Sequence, residues 1–401
     1  MTAFDTAIPA TASPEVEFVS QLHVNRSTEL EPRETPAIEL DFVRRYARAV
    51  EDAGFDYTLL PYGSTSADSF VLASAVAQLT SRLKTIVALR PNTVHPLVAA
   101  QQLATLDHLS EGRAVVHLIS GGSDEEQARH GDYLTKDERY DRTAEYIDLL
   151  RRAWTERTAF SHRGTHYRFD GFGPGLATYD GDALTVSIGG QSPAAVKVGG
   201  ERADIFSFWG EPLAAFESEV ARVDAVAAAA GRSTRPRYWV TFRPIIAATE
   251  ELAWEKARDY VARVGETFAA GGHRGQGAHR PSAAPQNVGS QRALAFASEA
   301  EVHDRALWTA TAAATHGSGA ATALVGTPET VAAAILDYID RGASIVSIRG
   351  YDTLNDVIDY GRHVLPLVRE ELAHRASTGQ RGPLQREHLG ALAGTALASV
   401  S

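Results

Sequence analysis

LTVSIGGQSPAAV, residues 184–196, is the stretch on which the fold turns. A mostly apolar, β-prone run (184–188) leads into two glycines. Gln191, Ser192 and Pro193 follow, and then an Ala/Val-rich helical pattern. The order reads as strand, tight glycine turn and helix start. The N–H groups of a helix start, with a serine hydroxyl beside them, favour an anion. An ordinary turn with Ser192 as N-cap and Pro193 at the first helical position fits the same residues. The first reading asks for a phosphate, whereas the second needs no ligand.

The strand-then-helix unit recurs on both sides of this stretch. β-prone runs lie at 16–22, 57–62, 84–89, 114–120, 184–188, 204–209, 238–246 and 344–348. Helical patterns lie at 37–53, 67–81, 96–109, 137–155, 192–201, 213–230, 250–268, 327–341 and 354–375. The runs are apolar rather than alternating, as strands buried on both faces must be. Eight such strands, each followed by a helix, predict one α/β domain over 15–375, a (β/α)8 TIM barrel. A doubly wound open sheet would also alternate, but no Gly-x-Gly-x-x-Gly follows the first strand. Two segments interrupt the repeat. Residues 157–183 read as a small excursion before strand five. Residues 270–320, polar and Gly-rich, form the largest insertion, between strands seven and eight, and read as a lid or a disordered loop. Residues 1–14 read as a disordered tail, and 376–401 as a tail or an oligomer arm.

Composition narrows the class. The chain has 401 residues, 44% of them apolar, enough for a large core. A formal net charge of −11 argues against nucleic acid and anionic membranes. No apolar run reaches the length of a membrane span, and the N-terminus lacks a signal peptide's basic and apolar regions. With no cysteine there is no disulfide and no thiolate metal site. A cytoplasmic protein is expected.

Barrel chemistry gathers at the C-terminal strand ends. In order these carry His23; Tyr62 with Ser64, Thr65 and Ser66; Arg90; Ser120 and two glycines; Gly190-Gln191-Ser192; Trp209 and Glu211; Arg243; and Arg349 with Tyr351. Each has a plainer alternative. His23 fits a satisfied core histidine, Arg90 an ion-pair partner and Trp209 a packing residue. Polar or aromatic groups at all eight ends argue for one large pocket. There is no zinc-type histidine spacing, no Gly-x-Ser-x-Gly elbow and no strand-end lysine for a Schiff base, and carboxylates are too sparse for a glycosidase. A neutral-to-basic mouth with aromatic rings suits a planar phosphorylated cofactor and a polar or anionic substrate.

Six stretches carry a resemblance: TSRLKTIVALRP (80–91), AAQQLATLDHLSEGRAVVHLISGG (99–122), KDERYDRTAEYIDLLRRAW (136–154), VSIGGQSPAA (186–195), FSFWGEP (206–212) and ATALVGTPETVAAAILDYIDRGASIVSIRGY (321–351). The chain resembles the bacterial luciferase-like flavin monooxygenases, within them the alkanesulfonate monooxygenase branch. The resemblance implies reduced FMN from a separate NAD(P)H-dependent flavin reductase, reaction with O2 through a flavin peroxide, and a homodimer or homotetramer. It places the FMN phosphate on Gly190, Gln191 and Ser192 with Tyr140 assisting, His117 and Ser120 along the flavin ring, and Ala88 behind it. Ser66 falls where the alkanesulfonate enzymes have a cysteine. His23 and Trp209 match their histidine after strand one and their tryptophan.

The resemblance breaks in three places. Those enzymes carry Arg-Leu-His in strand seven, where this chain has Thr241-Phe242-Arg243. Their last loop reads Tyr-Pro-His, against Tyr351-Asp352-Thr353. Their lid arginine before the glycines corresponds to His316. The expected activity is oxygenation of a small anionic organosulfur compound such as an alkanesulfonate. The same chemistry on a non-sulfonate substrate, an F420-dependent oxidoreductase and a non-catalytic flavin binder are the alternatives. Arg243 is the expected charge stabiliser, with Glu211 as its partner if its role is structural. His23 and Tyr351 are expected to move protons and orient the substrate. Tyr62, Ser66, Arg90, Trp209 and His316 are expected to contact substrate. No metal is expected.

Overall fold

The computed structural model describes residues 16–270, 285–317 and 322–379. Eight parallel strands close on themselves: β1 (Glu17–Gln21), β2 (Tyr57–Leu60), β3 (Lys84–Leu89), β4 (Ala114–Leu118), β5 (Val186–Gly189), β6 (Ile205–Trp209), β7 (Arg237–Ile246) and β8 (Ala343–Ile348). Each pairs with the next, and β8 pairs with both β7 and β1, so the sheet is a closed (β/α)8 barrel. All eight expected strands are present.

The helices are α1 (Leu40–Asp52), α2 (Ser69–Leu79), α3 (Pro96–Leu109), α4 (Lys136–Thr155), α5 (Pro193–Arg202), α6 (Leu213–Ala229), α7 (Glu250–Ala269), α8 (Val288–Glu299), α9 (Pro328–Ile339), α10 (Thr353–His363) and α11 (Leu365–Thr378). Their starts follow local chemistry. Thr135 and Glu138 make a reciprocal capping box on α4, and α3, α5 and α9 each begin with proline. The helix expected over 354–375 is two. Pro366 has no N–H for the carbonyl of Arg362, and the helix restarts at Leu365. α11 then continues to Thr378, past the expected domain end, and Gly379 (φ 67°) terminates it. The tail expected at 1–14 lies outside the described residues, as does the tail expected at 376–401 from residue 380 on.

Strand alternation positions the site. Val19, Tyr57, Ile86, Val115, Ile205, Trp239 and Ile345 pack together as the barrel's interior. Below them Glu17 ties Tyr57, Lys84 and Arg237 together. Side chains alternate faces, so every second residue onward also points inward. Two residues on lie Gln21, Ala88, His117, Ser207, Thr241 and Ser347. Two further lie His23, Arg90, Trp209, Arg243 and Arg349 at the C-terminal mouth.

The large insertion is not a featureless loop. Its described part holds α8, an antiparallel pair (Val302–His303 with Leu307–Trp308) and a short helix, Ala310–Ala314. Asn287 caps α8 by accepting the N–H of Gly289 at 2.7 Å. The strand Ala323–Gly326 joins the far half of β7, at Arg243–Ile246, outside the barrel. The rest of the expected lid, 271–284 and 318–320, lies outside the described residues. The excursion at 157–183 contains an antiparallel hairpin, Phe160–Arg163 with Arg168–Phe172. Among the described residues no helix is long and apolar enough to cross a membrane, and no cluster of His, Asp or Glu could hold a metal.

Candidate active site

The C-terminal ends of β2 to β6 open into a cavity of about 320 Å³. Nine of the expected residues line it: Tyr62, Arg90, His117, Ser120, Tyr140, Gly190, Gln191, Ser192 and Trp209. Lys136, Asn287 and Gly289 line it too, and the sequence reading named none of them.

The opening stretch makes the helix cap of its plainer reading, and its turn also lines the cavity. Ser192 is the N-cap of α5, accepting the N–H of Ala195 at 3.2 Å, and its side chain also faces the cavity. Gly190 sits at φ 136°; a Cβ there would come within 2.5 Å of the Tyr140 hydroxyl and 2.8 Å of the Ala195 Cβ. Only glycine lets the turn lie this close to α4. Tyr140 hydrogen-bonds Ser192, and burial pushes its phenol up to about 12, so it remains protonated at neutral pH. Lys136 stands one helical turn before Tyr140, on the same face of α4. A helix start, a serine, a phenol and an ammonium therefore meet at one end of the cavity, which is the chemistry of a phosphate site. Lys136 went unnoticed because its position in a charged run (KDER) reads as solvated surface.

Arg90 and His117 border the same cavity. Arg90 is 4% exposed, donates to Glu126 Oε1 at 2.8 Å and lies over the Tyr62 ring. Its Nε and Nη1 have no hydrogen-bond partner among the described residues. Glu126 also accepts from the N–H and hydroxyl of Ser64, at 2.7 and 2.8 Å. Burial raises the Glu126 pKa, but these hydrogen bonds outweigh it and hold the carboxyl at about 2. His117 shares a hydrogen bond with Ser187 at 2.9 Å, and burial lowers its pKa to about 4, so its ring is neutral at physiological pH. Ala88 is its register partner on β3. Ser120 bonds the hydroxyl of Thr143 at 2.8 Å, which ties the β4 loop to α4.

The expected catalytic residues gather on the other arc, at β7, β8 and β1. Arg243 is 4% exposed, ion-paired to Glu29 at 2.6 Å, and stacked on Tyr351 with its guanidinium carbon 3.5 Å from the ring centre. Its Nη2 donates to the Gly350 carbonyl at 3.3 Å. Arg349 donates to Gln21 Oε1 at 3.3 Å, and burial, with Arg243 nearby, pulls its pKa to about 10. His23 lies edge-on to Tyr46, 5.6 Å between centroids. The expectation that Glu211 would pair with Arg243 is overturned. Glu211 instead takes Arg292 of α8 on both oxygens, at 2.8 and 2.6 Å, and Gln191 Nε2 at 2.6 Å. The physical reason is α8, which the sequence reading did not foresee and which brings a cation to the β6 end. Glu29 belongs to the loop after β1, and nothing in its sequence context marks it.

Two expected substrate contacts do not line this cavity. Ser66 folds back on Gly63, accepting its N–H at 2.9 Å and donating to its carbonyl at 3.0 Å. His316 is exposed beyond the short helix Ala310–Ala314, at φ 50°. The expectation of an anionic substrate leaned on Arg243 together with Arg90, and both meet carboxylates within the chain.

Solved structures share this architecture. A riboflavin lyase with modified FMN and substrate riboflavin superposes with a TM-score of 0.73 at 22% identity, covering 94% of this chain and 95% of that one. EDTA monooxygenase from Chelativorans sp. BNC1 gives 0.70 at 17%, covering 93% and 99%. The coenzyme F420 dependent tetrahydromethanopterin reductase from Methanopyrus kandleri gives 0.62 at 19%, covering 88% and 99%. At these identities the likeness is one of fold. The family itself is shown by sequence, because the pattern of the luciferase-like monooxygenases matches residues 20–344, most of the barrel, and the chain belongs to that family.

Proposed function

We propose that the protein is a two-component monooxygenase that uses reduced FMN and O2 to oxygenate a small organic substrate. The observation that carries this reading is the make-up of the cavity. One end offers Lys136, Tyr140, Ser192 and the start of α5 to a single phosphate, while the walls offer the neutral ring of His117 and the indole of Trp209. That combination fits a mononucleotide flavin, with one phosphate and a flat uncharged ring system. The riboflavin lyase that shares the fold carries a modified FMN, which supports the same choice.

Reduced FMN would supply the electrons that activate O2. The chain's own residues do the rest. Gly190 and Ser192 anchor the phosphate, and Tyr140 and Lys136 donate to it. His117, unable to hold a proton at neutral pH, would border the flavin without adding charge. Asn287 and Gly289 of the insertion line the cavity, where they would help to keep water from the reacting atoms. Arg243, Tyr351 and His23 form the polar end of the mouth, where the substrate's oxygen-bearing head is oriented and protons move. A separate NAD(P)H-dependent flavin reductase supplies the reduced cofactor.

The test is a screen with FMN, a flavin reductase, NADH and O2, read by sulfite release and by mass gain of one oxygen. Oxygen-dependent substrate loss supports the proposal. Tighter binding of F420 than of FMN, with no oxygen uptake, would instead assign the hydride-transfer chemistry of the F420 enzyme.

A further inference from the structure

Glu29 reaches the mouth from the loop after β1 and not from a barrel strand. Its loop is anchored from the outside: Thr267 of α7 donates to the Glu29 carbonyl at 2.9 Å, and Arg263 donates to the Leu30 carbonyl at 2.9 Å. The side chain turns the other way, into the barrel mouth, and ends 2.6 Å from Nη1 of Arg243. Arg349 feels the same carboxylate and is itself repelled by Arg243. The Glu29 carboxylate therefore faces a buried guanidinium at contact distance. The Nε of Arg243 is buried and has no hydrogen-bond partner among the described residues.

We propose that Glu29 sets the substrate's charge: it holds the anion position on Arg243, so this end of the mouth takes an uncharged oxygen-bearing head and rejects a free sulfonate or carboxylate. The proposal rests on the reading that substrate is oriented at Arg243, and it narrows the substrate class within it. A substrate anion would have to displace Glu29. That exchange trades one carboxylate–guanidinium pair for a like one, while the departing carboxylate drags on a loop fixed by two hydrogen bonds to α7. An anion binding without displacement would face Glu29 directly and be repelled. A carbonyl or amide oxygen carries no charge and meets neither cost.

The test uses the full-length protein without flavin, titrated calorimetrically with hexanesulfonate, hexanoate and hexanamide. The wild type should bind hexanamide better than either anion. Glu29→Gln keeps the side-chain volume and removes the negative charge beside Arg243. It should gain about tenfold or more for both anions, the scale of one hydrogen bond to a charged group, with little change for hexanamide. Glu31→Gln, on the exposed part of the same loop, should change nothing. If Glu29→Gln does not fold, Glu29→Asp withdraws the carboxylate by one methylene and should move anion affinity the same way, less far. Wild-type affinity for hexanesulfonate equal to that of the Glu29 variant overturns the proposal. An equal gain in Glu31→Gln, or no binding of any of the three ligands, does so too. Because no flavin is present, failure here leaves the FMN reading standing, and failure of FMN binding leaves this result intact.

Discussion

Ser192 performs two tasks that substitution can separate. Its hydroxyl oxygen caps α5 at 3.2 Å from the Ala195 N–H, and the residue is 5% exposed, so water cannot easily replace it. Ser192→Ala removes the cap and should cost about 1 kcal/mol of stability. Ser192→Gly costs only a few tenths of that, about 0.3 kcal/mol, because glycine is itself tolerated as an N-cap. Both substitutions remove the same hydroxyl from the phosphate. A hydrogen bond to a charged group contributes about 1.5–3 kcal/mol, so FMN affinity should fall by roughly 10- to 100-fold in both. Riboflavin, which has no phosphate, should bind wild type and variants alike. Flavin fluorescence titration measures the affinities, and thermal melts measure the cap. The expected pattern is a lowered melting temperature in the alanine variant alone, with weakened FMN binding in both. Unchanged FMN affinity in Ser192→Gly would place the phosphate elsewhere. An equal loss for riboflavin would show that the turn acts on the ring rather than on the phosphate.

Arg243→Lys keeps the charge opposite Glu29 but loses the flat stack on Tyr351 and the bond to Gly350. It should lower stability by about 1–2 kcal/mol and turnover by an order of magnitude, with FMN binding intact; normal turnover per folded molecule removes it from the reaction. Glu126→Ala strands the buried guanidinium of Arg90 and the Ser64 N–H. Denaturant melts should show a loss of about 3–5 kcal/mol, whereas a loss under 1 kcal/mol would mean that water reaches Arg90 freely. Asp356 accepts the N–H groups of Tyr351 and Asp352, yet burial raises its pKa from 3.8 to about 6. A carboxyl with a raised folded-state pKa contributes stability that is complete below about pH 4 and lost as pH rises through 6. Melts between pH 4 and 7 should show this decline in the wild type and not in Asp356→Asn, whose amide oxygen still accepts both bonds; parallel curves refute it.

Much of this molecule is legible in its sequence because barrel strands and helices are local facts. A run such as KTIVAL at 84–89 is apolar at four successive positions, Ile86 to Leu89, and that marks burial on both faces without knowledge of what covers it. The glycine turn at 189–190 and the cap at Ser192 are equally local. So is the placement of His117, Arg90 and Trp209 at the mouth, since alternation along a strand fixes which side chains point inward. The partners of those side chains are another matter. Glu29 lies 214 residues before Arg243 in the chain, counted as 243 minus 29, and reaches it only because closure sets β1 two strands from β7. Glu211 meets Arg292 only because α8 folds back over the β6 end. Lys136 becomes a cavity residue through the packing of α4 beside α5. Inward direction is a property of a strand, whereas charge pairing depends on the distance between elements. That distance, decided by the tertiary structure alone, is what turned Arg243 from an open cation into a neutralised one.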